Sequence, residues 1–273
     1  MPFDDLESSA AGGRPARLYE FSRQPASWCY TSADRDIHFQ SRDYKSVAIT
    51  DDGIRQTGEA SADALTLTVP DSIYPVKMFI GHPPSDQIWL TLRDYHYGLA
   101  DAPANALVVW IGNIKTVRWT DAGQAEIVCN SISASMARMG LRLSYERNCP
   151  HSLYDTSCRA VRASFALDTA VTALDGASVT VGAVNGAWNY THGYLEWSTS
   201  NGFIERRGIE VQNGLSLTLV SGTAGMTAGQ SVRIYPGCDQ TSATCNGIFN
   251  NMPNYGGFRH MPGKSPFDNN PFF

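Results

Sequence analysis

Six cysteines stand in this chain, and four of them fall into two pairs. Cys149 and Cys158 bracket Pro-His-Ser-Leu-Tyr-Asp-Thr-Ser as C-x8-C, and Cys238 and Cys245 bracket Asp-Gln-Thr-Ser-Ala-Thr as C-x6-C. Each pair opens beside a turn former, Pro150 or Gly237, where a loop can curl two sulfurs toward one point. Four converging thiolates suit a tetrahedral zinc ion or an iron–sulfur cluster. Structural zinc favours short C-x2-4-C knuckles that wrap one small ion. Loops of this width are better matched to an object several ångströms across, yet on spacing alone zinc, a cluster, free thiols and disulfides all stay open. Cys129, in the apolar run Ala125–Asn130, and Cys29, after Trp28, read as small buried hydrophobes. His151 beside Cys149 reads as a hydrogen-bonding neighbour rather than a fifth ligand.

The elements that must position these residues read as strands. Leu65-Thr-Leu-Thr-Val69 alternates apolar and polar residues and stops at Pro70, and Gln87–Leu92, Leu107–Ile111, Lys115–Trp119 and Ala125–Cys129 look alike. Gly112-Asn113 and Asp121-Ala-Gly123 are expected as hairpin turns. Two helices are expected, a short one over Ser72–Ile80 interrupted by Pro75, and one over Ser131–Leu143. After residue 163 come further short strands at Ser178–Gly182, Gly193–Trp197, Gly208–Val211, Leu215–Val220 and Ser231–Tyr235, with Asn213-Gly214 as a hairpin signal. From Pro236 onward Gly, Pro, Asn and Phe recur without periodicity, so ordered loops or an extended arm follow. The fold class expected is mainly β: residues 1–148 form one β domain, and residues 149–273 form a small β domain with a four-cysteine site and an irregular C-terminal arm.

The composition narrows the function. A formal charge of −5 argues against gripping a nucleic acid backbone, although DNA could still slide past. No apolar run approaches a membrane span, and the acidic start at Asp4, Asp5 and Glu7 is no secretory signal. A reducing cytosol would leave the cysteines free or metal-bound rather than paired.

From Gly193-Tyr-Leu-Glu-Trp197 the chain runs through Glu205-Arg-Arg-Gly-Ile-Glu-Val211 and Leu217-Thr-Leu219 to Tyr235-Pro-Gly-Cys-Asp239. It continues with Cys245, Phe249-Asn-Asn251, Asn254-Tyr-Gly-Gly-Phe258 and His260-Met-Pro-Gly263. This succession resembles the C-terminal domain of tail-tip hub proteins in long-tailed phages, prophages and gene transfer agents, a family similar in role and cysteine arrangement to the minor tail protein L of phage lambda. The resemblance covers most of residues 149–273, and the first half is compatible with the family's hub domain.

What the resemblance implies is a structural protein of the virion tail tip, assembled in the bacterial host cytoplasm. It implies a homotrimeric hub below the distal tail protein and above the central fibre, with the tape measure protein as a further neighbour and DNA only passing through the channel. It implies a [4Fe–4S] cluster, with zinc as the alternative, on Cys149, Cys158, Cys238 and Cys245; Cys29 and Cys129 lie outside the ligand pattern. Apolar residues without their own core need a foreign one, so the arm Asn250–Phe273 is expected to reach a neighbouring protein through Phe258, Phe267, Phe272 and Phe273.

Motifs for catalysis fail. Gly257 to Ser265 ends like a P-loop but carries one residue too many between its glycines and lacks the strand and helix on either side. H-E-x-x-H, G-x-S-x-G and G-x-G-x-x-G are absent from the sequence. Asn189-Tyr-Thr191 is a glycosylation sequon by pattern only. Asp34, Asp36, Asp51 and Asp52 read as solvated turn charges, and Arg206-Arg207 as a solvated pair. No enzymatic role is therefore expected; the competing class, a metal-dependent cell-wall hydrolase of the tail, has no recognisable site.

Overall fold

Leu65, Leu67 and Val69 are buried while Thr66, Thr68 and Pro70 are half-covered, the outcome that period-two alternation requires when one sheet face meets a core. The computed structural model describes residues 3–55, 57, 63–120, 123–137 and 145–261. The chain divides into two units, Met1–Met139 and Gly140–Phe273.

In the first unit a short helix, α1 (Phe3–Glu7), precedes β1 (Pro15–Arg23), β2 (Ala26–Thr31), β3 (Ile37–Phe39), β4 (Arg42–Ser46), β5 (Thr50–Asp51), β6 (Leu65–Pro70), α2 (Tyr74–Lys77), β7 (Trp89–His96), β8 (Ala106–Trp119) and β9 (Gln124–Ser131). Among the described residues these nine strands form one sheet in the order β3-β4-β2-β1-β7-β8-β9-β6-β5. Strand β1, inside the sheet between β2 and β7, buries both faces. Tyr19 and Phe21 join Leu65, Leu67, Leu90, Leu92, Ile127 and Cys129 on one side, whereas Ala16 and Leu18 join Ile37, Phe39, Tyr44 and Tyr95 on the other. Glu20, mid-strand and 8% exposed, is tolerated there because Arg93 donates to it at 2.6 Å and Arg42 meets its second oxygen.

Three expectations change here. Gly112-Asn113 is no turn but lies inside the long β8. A Cβ at Gly112 would overlap the Asn130 carbonyl and the Trp110 ring, so the glycine serves close packing in the sheet. Pro75 opens α2 rather than interrupting it, since its missing N–H costs nothing in a first turn. Of the helix expected over Ser131–Leu143, a 3-10 helix spans Ile132–Ala137, and residues 138–144 lie outside the described ones. Asp51 is no solvated charge either: it accepts from Arg17 Nη1 at 2.7 Å and from the Tyr19 hydroxyl at 2.7 Å.

In the second unit β10 (Leu167–Asp175), β11 (Ser178–Val181), β12 (Tyr194–Ser198), β13 (Ile204–Asn213), β14 (Ser216–Leu219) and β15 (Ser231–Tyr235) close a barrel in the order β10-β11-β14-β13-β12-β15. Asn213-Gly214 turns β13 into β14, with Gly214 at φ +60°. Val171, Val179, Val181, Leu195, Ile209, Leu217 and Ile234 fill the interior. Arg206 and Arg207 are not a solvated pair. Arg206 Nε donates to Glu196 at 3.0 Å, and Arg207 is 3% exposed with its guanidinium 4.9 Å above the Trp197 ring. Tyr145 to Asn148, placed with the first domain by sequence, pack on the second unit: Tyr145 stacks on Phe258, and Phe258 N donates to the Glu146 carbonyl at 2.8 Å.

Leu67 is wholly buried in the larger core. Leu67→Ala is expected to lower the unfolding free energy of the first unit by about 2–5 kcal/mol in chemical denaturation, with iron content, if any, unchanged because the cysteine pairs lie in the other unit.

Candidate metal centre

The barrel delivers the second cysteine pair. As β15 ends at Tyr235, Pro236 and Gly237 carry the chain against the loop that enters β12. Gly237 N donates to the Asn189 carbonyl at 2.9 Å, and a Cβ on Gly237 would overlap the Thr191 carbonyl and the Gly193 nitrogen. Cys238 follows at once, its Sγ accepting from Gln240 N at 3.4 Å. Asp239 accepts from Thr241 N at 3.0 Å and Thr241 Oγ1 at 2.8 Å. Thr241 in turn caps the helix α3 (Ser242–Gly247) by accepting from Thr244 N at 3.3 Å, so a helix stands where an irregular loop was expected. Cys245 lies on α3 and is 8% exposed.

The first pair sits on a loop wound around Asp155. One Asp155 oxygen accepts from the backbone of Ser157 (2.9 Å) and Cys158, and the other accepts from Ser152 N at 3.2 Å. Tyr154, at φ +66°, donates from its hydroxyl to the Pro236 carbonyl at 3.3 Å. Its ring lies 6.1–6.5 Å from those of Phe249, Phe165, Tyr235 and Tyr194.

Hydrogen bonds of Gln240, Asn251 and Gly256 bring the pairs together. Cys149 N donates to the Gln240 carbonyl at 2.8 Å. Asn251 N donates to the Cys245 carbonyl at 3.0 Å, while its side-chain amide donates to the carbonyl and, at 3.6 Å, to the sulfur of Cys158. Gly256 N donates to Cys149 Sγ at 3.4 Å. The thiols feel one another: burial pushes Cys245 up to about 11, and the charges of Cys238, Cys149 and Cys158 push the same way. Burial raises Cys238 as well, with Cys149 and Cys158 adding to it.

None of the six cysteines is joined in a disulfide; Cys129 is buried in β9 and Cys29 half-buried in β2, both in the first unit. Among the described residues no three His, Cys, Asp or Glu side chains are drawn tightly enough around one point to hold a single ion. His151 packs its ring against Gly256, where a Cβ would meet it at 2.6 Å, and its Nδ1 is buried without a hydrogen-bond partner. Sequence reasoning assigned no role to Asn251, Tyr154, Asp155 or Gly256; the only signal was that the Phe249-Asn-Asn251 and Asn254-Tyr-Gly-Gly-Phe258 motifs accompany the cysteines. Residues 250–261 do not leave as a free arm but wrap the cysteine loops, with Phe258 45% exposed against Tyr145. Phe267, Phe272 and Phe273 lie outside the described residues.

A nine-stranded sheet, a small closed barrel and two cysteine pairs tied across the barrel's exit define a mainly β protein of two units. The family described as baseplate hub protein, N-terminal attachment domain, matches residues 6–161, more than half of the chain, and includes Cys149 and Cys158. A second family, described as phage conserved hypothetical protein BR0599, matches residues 188–265 with Cys238 and Cys245. The chain belongs to the phage baseplate hub protein family. It is 27% identical over 175 residues to an uncharacterized protein of Xylella fastidiosa (strain 9a5c), a match that spans 60% of this chain and 36% of that one, so the chain spans well under half of that relative. In fold it is similar to a chain in the virion of a native gene transfer agent particle. The TM-score is 0.77 at 21% identity, with 96% of this chain and 92% of that one covered. The protein is a structural component of a phage tail. Among the described residues no helix is long and apolar enough to cross a membrane.

Proposed function

We propose that the chain is the tail-tip hub that joins the tail tube and distal tail protein to the central fibre, and that Cys149, Cys158, Cys238 and Cys245 hold a [4Fe–4S] cluster as a staple. The observation that carries the cluster is the meeting of two distant cysteine pairs through Gln240, Asn251 and Gly256. Several features of the site fit such a group. Three of the sulfurs, on Cys149, Cys158 and Cys238, already accept an N–H, as metal-bound thiolates do. The charges of Cys238, Cys149 and Cys158 reach Cys245, and the Nδ1 of His151, buried beside Gly256, has no hydrogen-bond partner among the described residues. When bound, a cluster supplies four strong bonds to two segments otherwise held by loops, and its binding energy becomes folding energy. The chain's own part is to place the four sulfurs, cover them with Tyr154 and Asn251, and keep the loops on the barrel.

The hub acts as a homotrimer around a closed channel through which DNA passes, with residues 1–148 forming the ring that meets the tube. It works by assembly rather than by catalysis. Protein purified without air is expected to be brown and to contain iron and acid-labile sulfide. Stoichiometric zinc without iron would overturn the cluster, and lysis of peptidoglycan by the purified protein would overturn the non-catalytic role.

A further inference from the structure

Asn251 touches both cysteine pairs. It is 9% exposed. Its backbone N–H goes to the Cys245 carbonyl at 3.0 Å, and its side-chain Nδ2 reaches the Cys158 carbonyl and, at 3.6 Å, the Cys158 sulfur. Its Oδ1 accepts from Asn254 Nδ2 at 2.6 Å. The orientation of the amide is forced, because a backbone carbonyl can only accept, so the NH2 end must face Cys158. One residue thus binds a cysteine of the first pair and a cysteine of the second, 158 and 245. The other N–H groups that reach sulfur, from Gly256 and Gln240, belong to the backbone. Among the described residues, Asn251 is therefore the side chain through which substitution can remove an N–H···S contact while leaving every cysteine in place.

We infer that Asn251 is a positioning residue of the four-cysteine centre, locking the two pairs together and donating a hydrogen bond to the Cys158 thiolate when the cluster is bound. The inference rests on the cluster reading above. A donor on a ligand sulfur stabilises the more electron-rich reduced state, so losing it lowers the reduction potential, and losing an orienting partner loosens the metal.

The test uses the full chain purified without air as wild type, Asn251→Ala and Asn251→Asp, with iron and sulfide content, the rate of bleaching by an iron chelator, an EPR-monitored reduction potential and far-UV circular dichroism. Both variants are expected to bleach roughly tenfold faster or more, and both potentials to fall. Asn251→Asp should fall furthest, because it keeps the shape but turns an acceptor toward a carbonyl and a sulfur. Folded, iron-loaded variants with wild-type bleaching and potential would overturn the inference, as would an Asp variant that behaves like wild type beside a defective Ala variant, since shape alone would then explain the site. Should neither variant fold, Asn254→Ala, which frees Oδ1 of Asn251, is expected to bleach faster than wild type, and a wild-type rate there would overturn the inference. Iron-free wild type would instead overturn the cluster reading, and the inference with it.

Discussion

Purified protein carrying Cys245→Ser is expected to be colourless, to lose its iron and acid-labile sulfide, and to give no infectious tails. Cys245 is buried on α3, and serine offers a hydroxyl that stays protonated and binds soft metals poorly. Structural metals contribute on the order of 10 kcal/mol or more to small sites, so the loops on either side of the barrel should lose most of what holds them. The barrel has its own core of Val, Leu and Ile side chains and should keep its strand signal. Limited proteolysis should then cut between 145 and 165 or between 236 and 261, where wild type resists. Serine at Cys149, Cys158 or Cys238 should do the same. Cys129→Ser is the contrast: it leaves a hydroxyl buried in the first unit, costs about 1–3 kcal/mol, and keeps the iron. A colourless Cys129 variant beside a brown Cys245 variant would sink the ligand assignment.

Gly237→Ala is expected to damage the centre as well, although it removes no ligand. The new methyl group would fall on the Thr191 carbonyl and the Gly193 nitrogen, which are backbone atoms and cannot swing aside. Relief requires the exit of β15 to move away from the loop entering β12, and Cys238 would move with it. A loss of about 4 kcal/mol or more belongs to this kind of overlap, read as a drop in denaturation midpoint together with sub-stoichiometric iron. Gly247→Ala, on α3 near Cys245 but with open space around its Cα, should leave both readings at wild-type values. Equal behaviour of the two alanines would show that the close approach at Gly237 does not matter.

How far the residues alone reach follows from which forces act locally. Strands such as Leu65–Pro70 and Ser231–Tyr235 were legible because one face is wet and the other dry, so alternation survives in the sequence. The Asn213-Gly214 turn was legible because only certain residues take its backbone angles. Strand β1 was not, since both its faces are buried and its Glu20 and Arg17 are neutralised by Arg93, Arg42, Asp51 and Asp94, residues far away in the chain. Gly112 looked like a turn because a glycine forced by a neighbouring carbonyl is indistinguishable, in one dimension, from a glycine forced by its own dihedral angles.

The same division runs through the centre. The types and spacing of Cys149, Cys158, Cys238 and Cys245, the mainly β character and the tail-hub resemblance were determined by sequence, because ligand chemistry, periodicity and motif order are properties of the chain itself. Which groups hold those cysteines was decided by tertiary structure alone. Asn251, Asp155, Tyr154 and the Gln240 carbonyl act through hydrogen bonds whose partners depend on how the barrel closes. An asparagine or a tyrosine carries no mark of the sulfur or carbonyl it will meet; only the closing of β15 beside β12 and the return of residues 250–261 over the first cysteine loop bring that partner within reach.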